Sequence, residues 1–380
     1  MKVLMVVSWY SPREAEAMSA GVFHYEQSIA LQKYCQTALY FPFDGTLTED
    51  FSEGMEHGLL TFRRRLSRTR IPKLEGVREV LQVVSDLRRI CKKWKPDVIH
   101  AHCALPAGRA AVLFGKLFGY PVVVTEHNPL QMMGLERRSG RLMTGFVYEN
   151  SDANICVSAN ALENLEREFP KAKFRLIYNG IIDPAAVPAD GETYAVAGKI
   201  NFCIVAAFYS REVKGYQHLI PAVAQLKKEG YPVALHICGG GEYMEEYRSL
   251  AGELGVEEEC IFYGQCRREK LYSIVSQMDF VVSASLFESA GIAVEEAMLL
   301  GKPLVVTRSG GANSLVTADT AIVTEAGSTE ALTEGLREML RRKDTFRPEQ
   351  IRAYARENFE IDGISRRYMA LYEALKRKET

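Results

Sequence analysis

The sequence has no apolar run long enough to cross a membrane and no excess of basic residues. None of its 380 residues falls in a run of 18 consecutive apolar residues, which argues against a transmembrane helix. Lys and Arg number 47 against 48 Asp and Glu, a net charge of −1. This balance excludes a generally basic nucleic-acid-binding protein, and we expect no nucleic-acid partner.

Cysteine pairs are also lacking. The eight cysteines are scattered, with no C-x-x-C and no Cys/His spacing typical of zinc, and several lie inside apolar runs such as NFCIVAAF. The first residues, MKVLMVVSWYSP, lack a small-residue cleavage site and predict a buried strand rather than a signal peptide. We therefore expect reduced thiols and a cytoplasmic protein.

The usual elements of a metal site are missing as well. No D-x-D occurs, and this carboxylate pair is a common way to hold a divalent ion. His100 and His102 would point to one face of a strand, but no third ligand is evident beside them. We expect no metal and no other cofactor.

Short apolar runs alternate with amphipathic stretches along the whole chain. Runs that are almost entirely apolar are typical of strands covered on both faces. The predicted strands are 3–8, 37–42, 97–102, 121–127, 153–158, 174–180, 201–208, 233–239, 260–264, 280–285, 303–307 and 320–324. Helical patterns lie between them, and this βα alternation predicts an α/β protein with doubly wound parallel sheets.

The alternation breaks once, at residues 183–199, where Pro, Gly and Ala occur without periodicity. We interpret this stretch as a linker between an N-terminal domain, 1–182, and a C-terminal domain, 200–361. Residues 362–380 are expected to form a helix that returns to the N-terminal domain. In such an architecture, the expected ligand site is a cleft at the carboxyl ends of the strands.

The most specific motif is FESAGIAVEEA, in which Glu288 and Glu296 are eight residues apart. Its context predicts a strand, a small-residue turn and a helix start, where backbone N–H groups can bind phosphate or sugar oxygens. A helix with acidic first-turn residues would give the same spacing without such a function. Other small or basic loops follow predicted strands, namely VKG before Tyr216 and the glycines of CGGG at 238–241.

With these motifs the chain resembles the retaining glycosyltransferases of family 4, which have the GT-B fold of two Rossmann-like domains. The resemblance extends over essentially the full length. It is carried by SWYSP…AGVF, DVIHAH, PVVVTEH, SDANICVS, RLIYNGI, VKG, HICGGG, FYG and FESAGIAVEEA.

The resemblance implies a role for each matching residue. Lys214 would bind the donor diphosphate, Glu288 the sugar hydroxyls and Glu296 the ribose. His127 would lie beside the donor sugar, so the implied catalytic residues are His127, Glu288 and Lys214. Further donor-binding candidates are Gly21, Arg211, Gly239, Gly240, Ala290, Gly291 and Ile292. His102 and Asn128 are candidates for the acceptor side.

Two departures from the family pattern matter. The family's Arg before the phosphate-binding Lys is absent from AAF at 206–208, and only Arg211 is close enough in sequence to replace it. Ser314 stands where the family commonly has Glu. A degenerate partner subunit, or another GT-B enzyme such as a sugar-nucleotide epimerase, therefore remains an alternative to a transferase.

The partners implied are a nucleotide-sugar donor, expected to be a UDP-sugar, and a glycan or lipid-linked acceptor of bacterial surface polysaccharide synthesis. Residues 61–100 carry twelve Lys/Arg and four acids, a net charge of +8. A solvated helix face is one interpretation. Docking on the anionic inner face of a membrane is the other, and it would make the cytoplasmic protein peripheral.

Overall fold

The computed structural model describes residues 1–10, 21–65 and 72–376, with side chains omitted for 72–75. Residues 11–20, which hold part of the resemblance at the start of the chain, lie outside the described residues. The same holds for Arg68 and Arg70 of the basic segment. The chain divides into two units, and the second is Ile181–Glu360.

The first unit is built on an eight-stranded sheet in the order β3-β4-β2-β1-β5-β6-β7-β8. Its strands are β1 (Lys2–Val7), β2 (Gln36–Asp44), β3 (Phe51–Glu56), β4 (Leu59–Arg65), β5 (Val98–His102), β6 (Val122–Glu126), β7 (Ala153–Cys156) and β8 (Phe174–Leu176). Its helices are α1 (Val22–Leu31), α2 (Pro72–Trp94), α3 (Arg109–Phe118), α4 (Arg138–Asn150), α5 (Ala159–Glu168) and, at the end of the chain, α12 (Ile361–Lys376).

Period-two alternation builds the core on both faces of this sheet. Leu4 and Ile99 point into one cluster of buried side chains, whereas Met5 and Val98 point into the other. The second cluster also takes the apolar stripe of α12, which is Ile364, Tyr368, Leu371, Tyr372 and Leu375. Helix α12 is therefore part of the core of the first unit.

The second unit has a fully parallel six-stranded sheet in the order β11-β10-β9-β12-β13-β14. Its strands are β9 (Ile200–Val205), β10 (Val233–Cys238), β11 (Cys260–Gly264), β12 (Phe280–Ser283), β13 (Leu304–Thr307) and β14 (Ala321–Thr324). Its helices are α6 (Tyr216–Lys228), α7 (Met244–Glu253), α8 (Arg268–Ser276), α9 (Ile292–Leu299), α10 (Thr329–Arg342) and α11 (Pro348–Phe359). The prediction of two doubly wound α/β domains is confirmed.

The sequence analysis missed one hairpin. Strands β3 and β4 pair antiparallel around a two-residue turn, His57-Gly58, in which both residues have positive φ. Their polar, partly exposed residues do not form the apolar runs by which the other strands were recognised. The first sheet therefore has eight strands rather than about six.

The structure divides the units between Gly180 and Ile181, and again after Glu360. The stretch 183–199 belongs to the second unit, where Tyr194 N donates to Gln277 Oε1 over 2.7 Å and Asp190 N to Ser273 Oγ over 2.9 Å. All eight cysteines are buried free thiols. In the described part of the chain, no helix is both long and apolar enough to cross a membrane.

Candidate active site

An ion pair lies at the carboxyl edge of the second sheet. Lys214, in the loop after β9, donates from Nζ to Oε1 of Glu288, which lies in the loop after β12. Ser285 Oγ donates to the same carboxylate oxygen over 3.1 Å. The side chains of Lys214 and Glu288 are 28% and 22% exposed, so both charged groups remain reachable from solvent.

Backbone hydrogen bonds hold the Glu288 loop against the loop after β13. Glu288 N donates to Ser309 O over 2.8 Å, and Gly311 N donates to Glu288 O over 2.8 Å. The side-chain amide oxygen of Asn313 accepts from Gly310 N over 2.7 Å. Glu288 is thus fixed on both sides of its backbone, which orients its carboxylate toward Lys214.

Helix α9 begins directly after this loop. Gly291 precedes its first residue with φ of 144°, a conformation that L side chains rarely adopt, and a Cβ there would lie 3.2 Å from Ala312 Cβ. The first N–H groups of a helix lack intrahelical acceptors, and the helix dipole favours negative charge there. Ala290, Gly291 and Ile292 are therefore in a backbone geometry suited to an anion.

Glu296 lies in the same helix and is buried. Tyr272 Oη, from α8, donates to Glu296 Oε1 over 2.6 Å. The neighbouring Glu295 is fully buried, and this burial, with the charge of Glu296, raises the pKa of Glu295 well above its usual range. Glu295 therefore favours its protonated form more strongly than an exposed glutamate does.

The glycines after β10 allow two backbones to approach closely. A Cβ on Gly239 would lie 1.9 Å from Ala206 O, so only glycine fits there. Gly240 O accepts from Phe208 N over 2.9 Å. These glycines tie the loop after β10 to the segment that leads to Lys214.

Arg211 is not brought to the ion pair. Its guanidinium Nε donates to Glu246 over 2.7 Å, and its carbonyl accepts from Tyr247 Oη. The Arg211 side chain is mostly exposed. The structure therefore brings together Lys214 and Glu288, with Ser285 added, and directs Arg211 elsewhere.

The site residues of the first unit lie at the ends of β5 and β6 and at the start of α1. Gly21, with φ of 98°, immediately precedes α1. His102 ends β5, and His127 follows β6. Nδ1 of His102 and Nε2 of His127 are 2.9 Å apart and joined by a hydrogen bond.

A buried carboxylate fixes the turn after β6. Glu126 Oε1 accepts from the backbone N–H groups of His127, over 3.0 Å, and Asn128, over 2.9 Å. Glu126 Oε2 accepts from Ala104 N and from Tyr148 Oη. The positions of His127 and Asn128 thus depend on Glu126.

The rings of His24, His100 and His102 are buried, and the half-buried His127 lies against them. His24, from α1, has its ring centroid 4.5 Å from that of His102 and 5.4 Å from that of His127. His100 bonds Tyr372 Oη and Thr125 Oγ1, each over 2.7 Å. Burial lowers the pKa of His100 and of His127 to about 3, and the pKa of His24 and of His102 well below the usual range. All four rings are neutral at pH 7.

Sequence reasoning gave no role to four residues that contribute to these arrangements. They are His24, Glu126, Tyr272 and Ser285. Glu126 and Ser285 lie within or beside the quoted motifs, where a polar residue at a strand end is a usable signal. Tyr272 carried no such signal, because it reaches Glu296 from a helix 24 positions earlier in the chain.

Two family models match the chain. "Glycosyltransferase Family 4" matches residues 31–183, and "Glycosyl transferases group 1" matches residues 195–358. Among curated proteins, N-acetyl-alpha-D-glucosaminyl L-malate synthase of Bacillus anthracis is 24% identical over 303 residues, which cover 77% of this chain and 78% of that protein.

Solved structures with the same fold cover nearly the whole chain. Sucrose-phosphate synthase from Thermosynechococcus elongatus has a TM-score of 0.82 at 19% identity, covering 99% of each chain. HepE of Anabaena has a TM-score of 0.77 at 19% identity, covering 98% of this chain and 100% of its own. The sequence matches and the fold agree, and the chain belongs to the group 1/family 4 glycosyltransferases, as a transferase of the GT-B type.

Proposed function

We propose that the protein is a retaining glycosyltransferase that moves a sugar from a UDP-sugar to a hydroxyl group of a glycan or glycolipid. The observation that carries this proposal is the reachable ion pair between Lys214 and Glu288, held at the carboxyl edge of a parallel sheet. The Lys214 ammonium suits a diphosphate, and the neighbouring Glu288 carboxylate can accept hydrogen bonds from the hydroxyl groups of an attached sugar.

In this proposal each partner of the pair has its own task. The Lys214 ammonium stabilises the departing diphosphate together with the N–H groups near Ala290–Ile292. Glu288 accepts hydrogen bonds from hydroxyls of the donor sugar, and Glu296, oriented by Tyr272, accepts them from the ribose. Arg211 would have to leave Glu246 to reach a phosphate. Lys214 is therefore the side-chain cation at the diphosphate in this proposal. With Lys214 and the backbone N–H groups in place, the proposal requires no divalent ion there.

The proposed chemistry is a same-face displacement. The bond between the anomeric carbon and the diphosphate oxygen breaks, and the acceptor oxygen bonds to that carbon from the same side. The acceptor proton passes to an oxygen of the departing diphosphate. His127 contacts the donor sugar, while His102 and Asn128 lie toward the acceptor, as the resemblance implies. No covalent bond to Glu288 forms.

The base of the donor is proposed from the relatives. Structures of Anabaena HepE contain UDP, UDP and glucose, or UDP-glucose. Another relative, from Mycolicibacterium smegmatis, is a GDP-mannose-dependent mannosyltransferase. Two structural neighbours act in lipopolysaccharide synthesis, WaaB as an outer core galactosyltransferase and WaaG. These names support UDP first and GDP second, and a surface polysaccharide as the pathway.

Thermal unfolding with added nucleotides tests the donor. A ligand at 100 times its dissociation constant adds about 2.7 kcal/mol of stability, so UDP should raise the melting temperature and CMP should not. Lys214→Met should abolish the shift, whereas Lys228→Met, an exposed lysine on α6, should retain it. A wild-type protein that responds to no nucleoside diphosphate would contradict the proposal and favour a degenerate partner subunit.

The basic segment 61–100 is partly neutralised in the fold. Arg63 pairs with Asp44 and Glu56, two acids outside the segment. Arg65 and Lys93 pair with Asp50 and Glu53. The net charge of +8 counted along the sequence therefore overstates the charge that this surface offers to a partner.

An amphipathic stripe nevertheless remains on α2. Val77 and Leu81 are 60% and 62% exposed, and Arg88 and Lys92 follow them on the same side of the helix. Exposed apolar side chains beside cations suit an anionic lipid surface. We propose that this stripe docks the enzyme on the inner face of the membrane, where a lipid-linked acceptor would be found.

Sedimentation with lipid vesicles tests the docking. The protein should pellet with vesicles containing phosphatidylglycerol at low salt, and remain in solution with neutral vesicles or at high salt. Leu81→Glu should weaken the pelleting, whereas Leu254→Glu, at an exposed leucine of the second unit, should leave it unchanged. If the wild-type protein pellets with neither vesicle, the docking proposal is wrong.

A further inference from the structure

Three histidine side chains from different segments of the first unit converge on one point. His24 comes from the first turn of α1, His102 from the end of β5 and His127 from the residue after β6. Each ring offers one nitrogen to a group of three that lie within 4.8 Å of one another. In the sequence these residues are up to 103 positions apart, so only the fold brings them together.

Much of the hydrogen-bonding capacity of this cluster is unused. Within residues 1–10, 21–65 and 72–376, neither ring nitrogen of His24 has a hydrogen-bond partner, and His102 Nε2 has none. His24 and His102 are each about 1% exposed, so water does not satisfy these atoms from bulk solvent. Buried polar atoms are nearly always paired in folded proteins, so these nitrogens indicate that the functional protein binds a ligand here.

The chemistry of the cluster suits a metal ion. Imidazole nitrogens are ligands of zinc, copper and nickel, and one nitrogen from each of three rings converges here. The Glu126 side chain accepts a hydrogen bond from the backbone N–H of His127 and so holds this ligand in position. His102 is also supported from behind by His100, whose ring stacks on it at 4.4 Å between centroids.

We propose that His24, His102 and His127 form a binding site for a transition-metal ion, with Zn²⁺ as the expected occupant. Zinc bonds imidazole nitrogen at about 2.0–2.1 Å, and three such ligands leave a fourth position for water. Tetrahedral geometry places neighbouring ligand nitrogens about 3.4 Å apart, whereas here they lie within 4.8 Å of one another. Binding of the ion would therefore shorten these nitrogen–nitrogen distances by up to about 1.4 Å. The ion would tie the start of α1 to the ends of β5 and β6.

The metal site shares His102 and His127 with the proposed acceptor and donor contacts, but the diphosphate chemistry proposed above uses Lys214 in the second unit and requires no divalent ion. Failure of metal binding would leave that proposal intact, and failure of nucleotide binding would leave this one intact. His102 and His127 both have roles in the proposed function, so the variants at His24 and His102 are assayed by metal binding and not by activity.

Direct metal binding tests the inference. The full chain, without a polyhistidine tag and stripped by a chelator, is titrated with Zn²⁺ against a chromophoric competitor. One equivalent should bind per chain, and Co²⁺ should give the visible spectrum of a tetrahedral site. His24→Ala and His102→Ala should each weaken Zn²⁺ binding by at least about 100-fold, with folding checked by circular dichroism.

Two other histidines serve as controls. His57→Asn changes an exposed histidine of the first unit, and His218→Gln changes one on α6 of the second unit. Both variants should bind Zn²⁺ as the wild type does. The inference is overturned if the wild-type chain binds no stoichiometric Zn²⁺, or if either control variant loses the ion as fully as the variants at His24 and His102.

Discussion

At the scale of single residues, the Glu288 carboxylate has two conceivable roles that a search for a glycosyl-enzyme distinguishes. As a nucleophile it would form a glycosyl-enzyme, whereas in the proposed function it only accepts hydrogen bonds from sugar hydroxyls. Its contacts with Lys214 and Ser285 fit the second role, because both of these groups donate to one of its oxygens and fix its direction.

We expect Glu288→Gln to lower kcat by about 10² to 10³, a loss typical of one preorganised polar group in an active site. Intact-protein mass spectrometry of the wild type with donor should find no covalent sugar. Glu212→Gln, an exposed carboxylate in the same loop as Lys214, should retain full activity. Detection of a glycosylated Glu288 peptide in the wild type would contradict the same-face route.

His236 gives a pH-dependent contribution to stability in the second unit. Its Nε2 is 3.0 Å from Asn201 Oδ1, and its Nδ1 is 2.9 Å from Tyr263 Oη. Asn201 Oδ1 already accepts from Val196 N, so it is an acceptor and His236 Nε2 carries the proton. Burial lowers the pKa of His236 to about 4.

Because unfolded histidine has a pKa near 6.5, the unfolded chain binds a proton between about pH 4 and 6.5 that folded His236 does not. This contribution to the free energy of unfolding is full above pH 6.5 and is lost as the pH falls toward 4. The His236→Gln variant should be less stable than the wild type at pH 7. On acidification its free energy of unfolding should fall less steeply than that of the wild type, by up to about 1.4 kcal/mol per pH unit. Urea unfolding between pH 7.5 and 4.5 measures this, and parallel curves for both proteins would contradict it.

At the scale of elements, the strands were predictable where they are buried on both faces. Each of the twelve predicted runs overlaps a strand of one of the two sheets. The hairpin of β3 and β4 could not be found in that way, since β3 has no buried residue and β4 ends in three arginines. The turn residues His57-Gly58 were the available signal.

The candidate site was also predictable in part from the sequence. Motif spacing identified Lys214 and Glu288, which the fold brings into contact. It could not anticipate that Arg211 pairs with Glu246, or that Asp44 and Glu56 pair with Arg63 of the segment 61–100, because these acids come from other elements. Charge counted along a sequence carries no information about tertiary ion pairs.

The loop that presents Glu288 is the element whose packing can be tested most directly. A Cβ on Gly311 would lie 2.3 Å from Ser289 C and 2.5 Å from Ala290 N, both backbone atoms. Gly311→Ala should therefore displace the turn before α9, cost about 1–3 kcal/mol of stability and weaken the binding of UDP. Urea unfolding and a nucleotide titration measure the two effects.

Gly252, in α7, is the matched control, because a Cβ there would meet nothing within 4 Å. Gly252→Ala should raise stability by about 0.5–1 kcal/mol, the usual gain for alanine in a helix, and leave UDP binding unchanged. If Gly311→Ala behaves as Gly252→Ala does, the loop after β13 does not constrain the Glu288 turn.

At the scale of the whole molecule, the chain order and the units do not coincide. The last helix, α12, belongs to the first unit, where Leu371 and Tyr372 enter the core and Tyr372 Oη bonds His100. Helix α10 belongs to the second unit and buries Leu332 there. Each unit has its own sheet and core, so loss of a core side chain should destabilise mainly the unit that contains it.

Leu371→Ala and Leu332→Ala test this independence as a pair. Each should cost about 2–5 kcal/mol, the usual range for a buried leucine. Hydrogen exchange of the Leu371 variant should rise in peptides from 21–180 and 361–376, whereas that of the Leu332 variant should rise in 181–360. UDP should still protect the second unit of the Leu371 variant, because Lys214 and Glu288 lie there. Equal loss of protection in both units of either variant would mean that they unfold as one cooperative body.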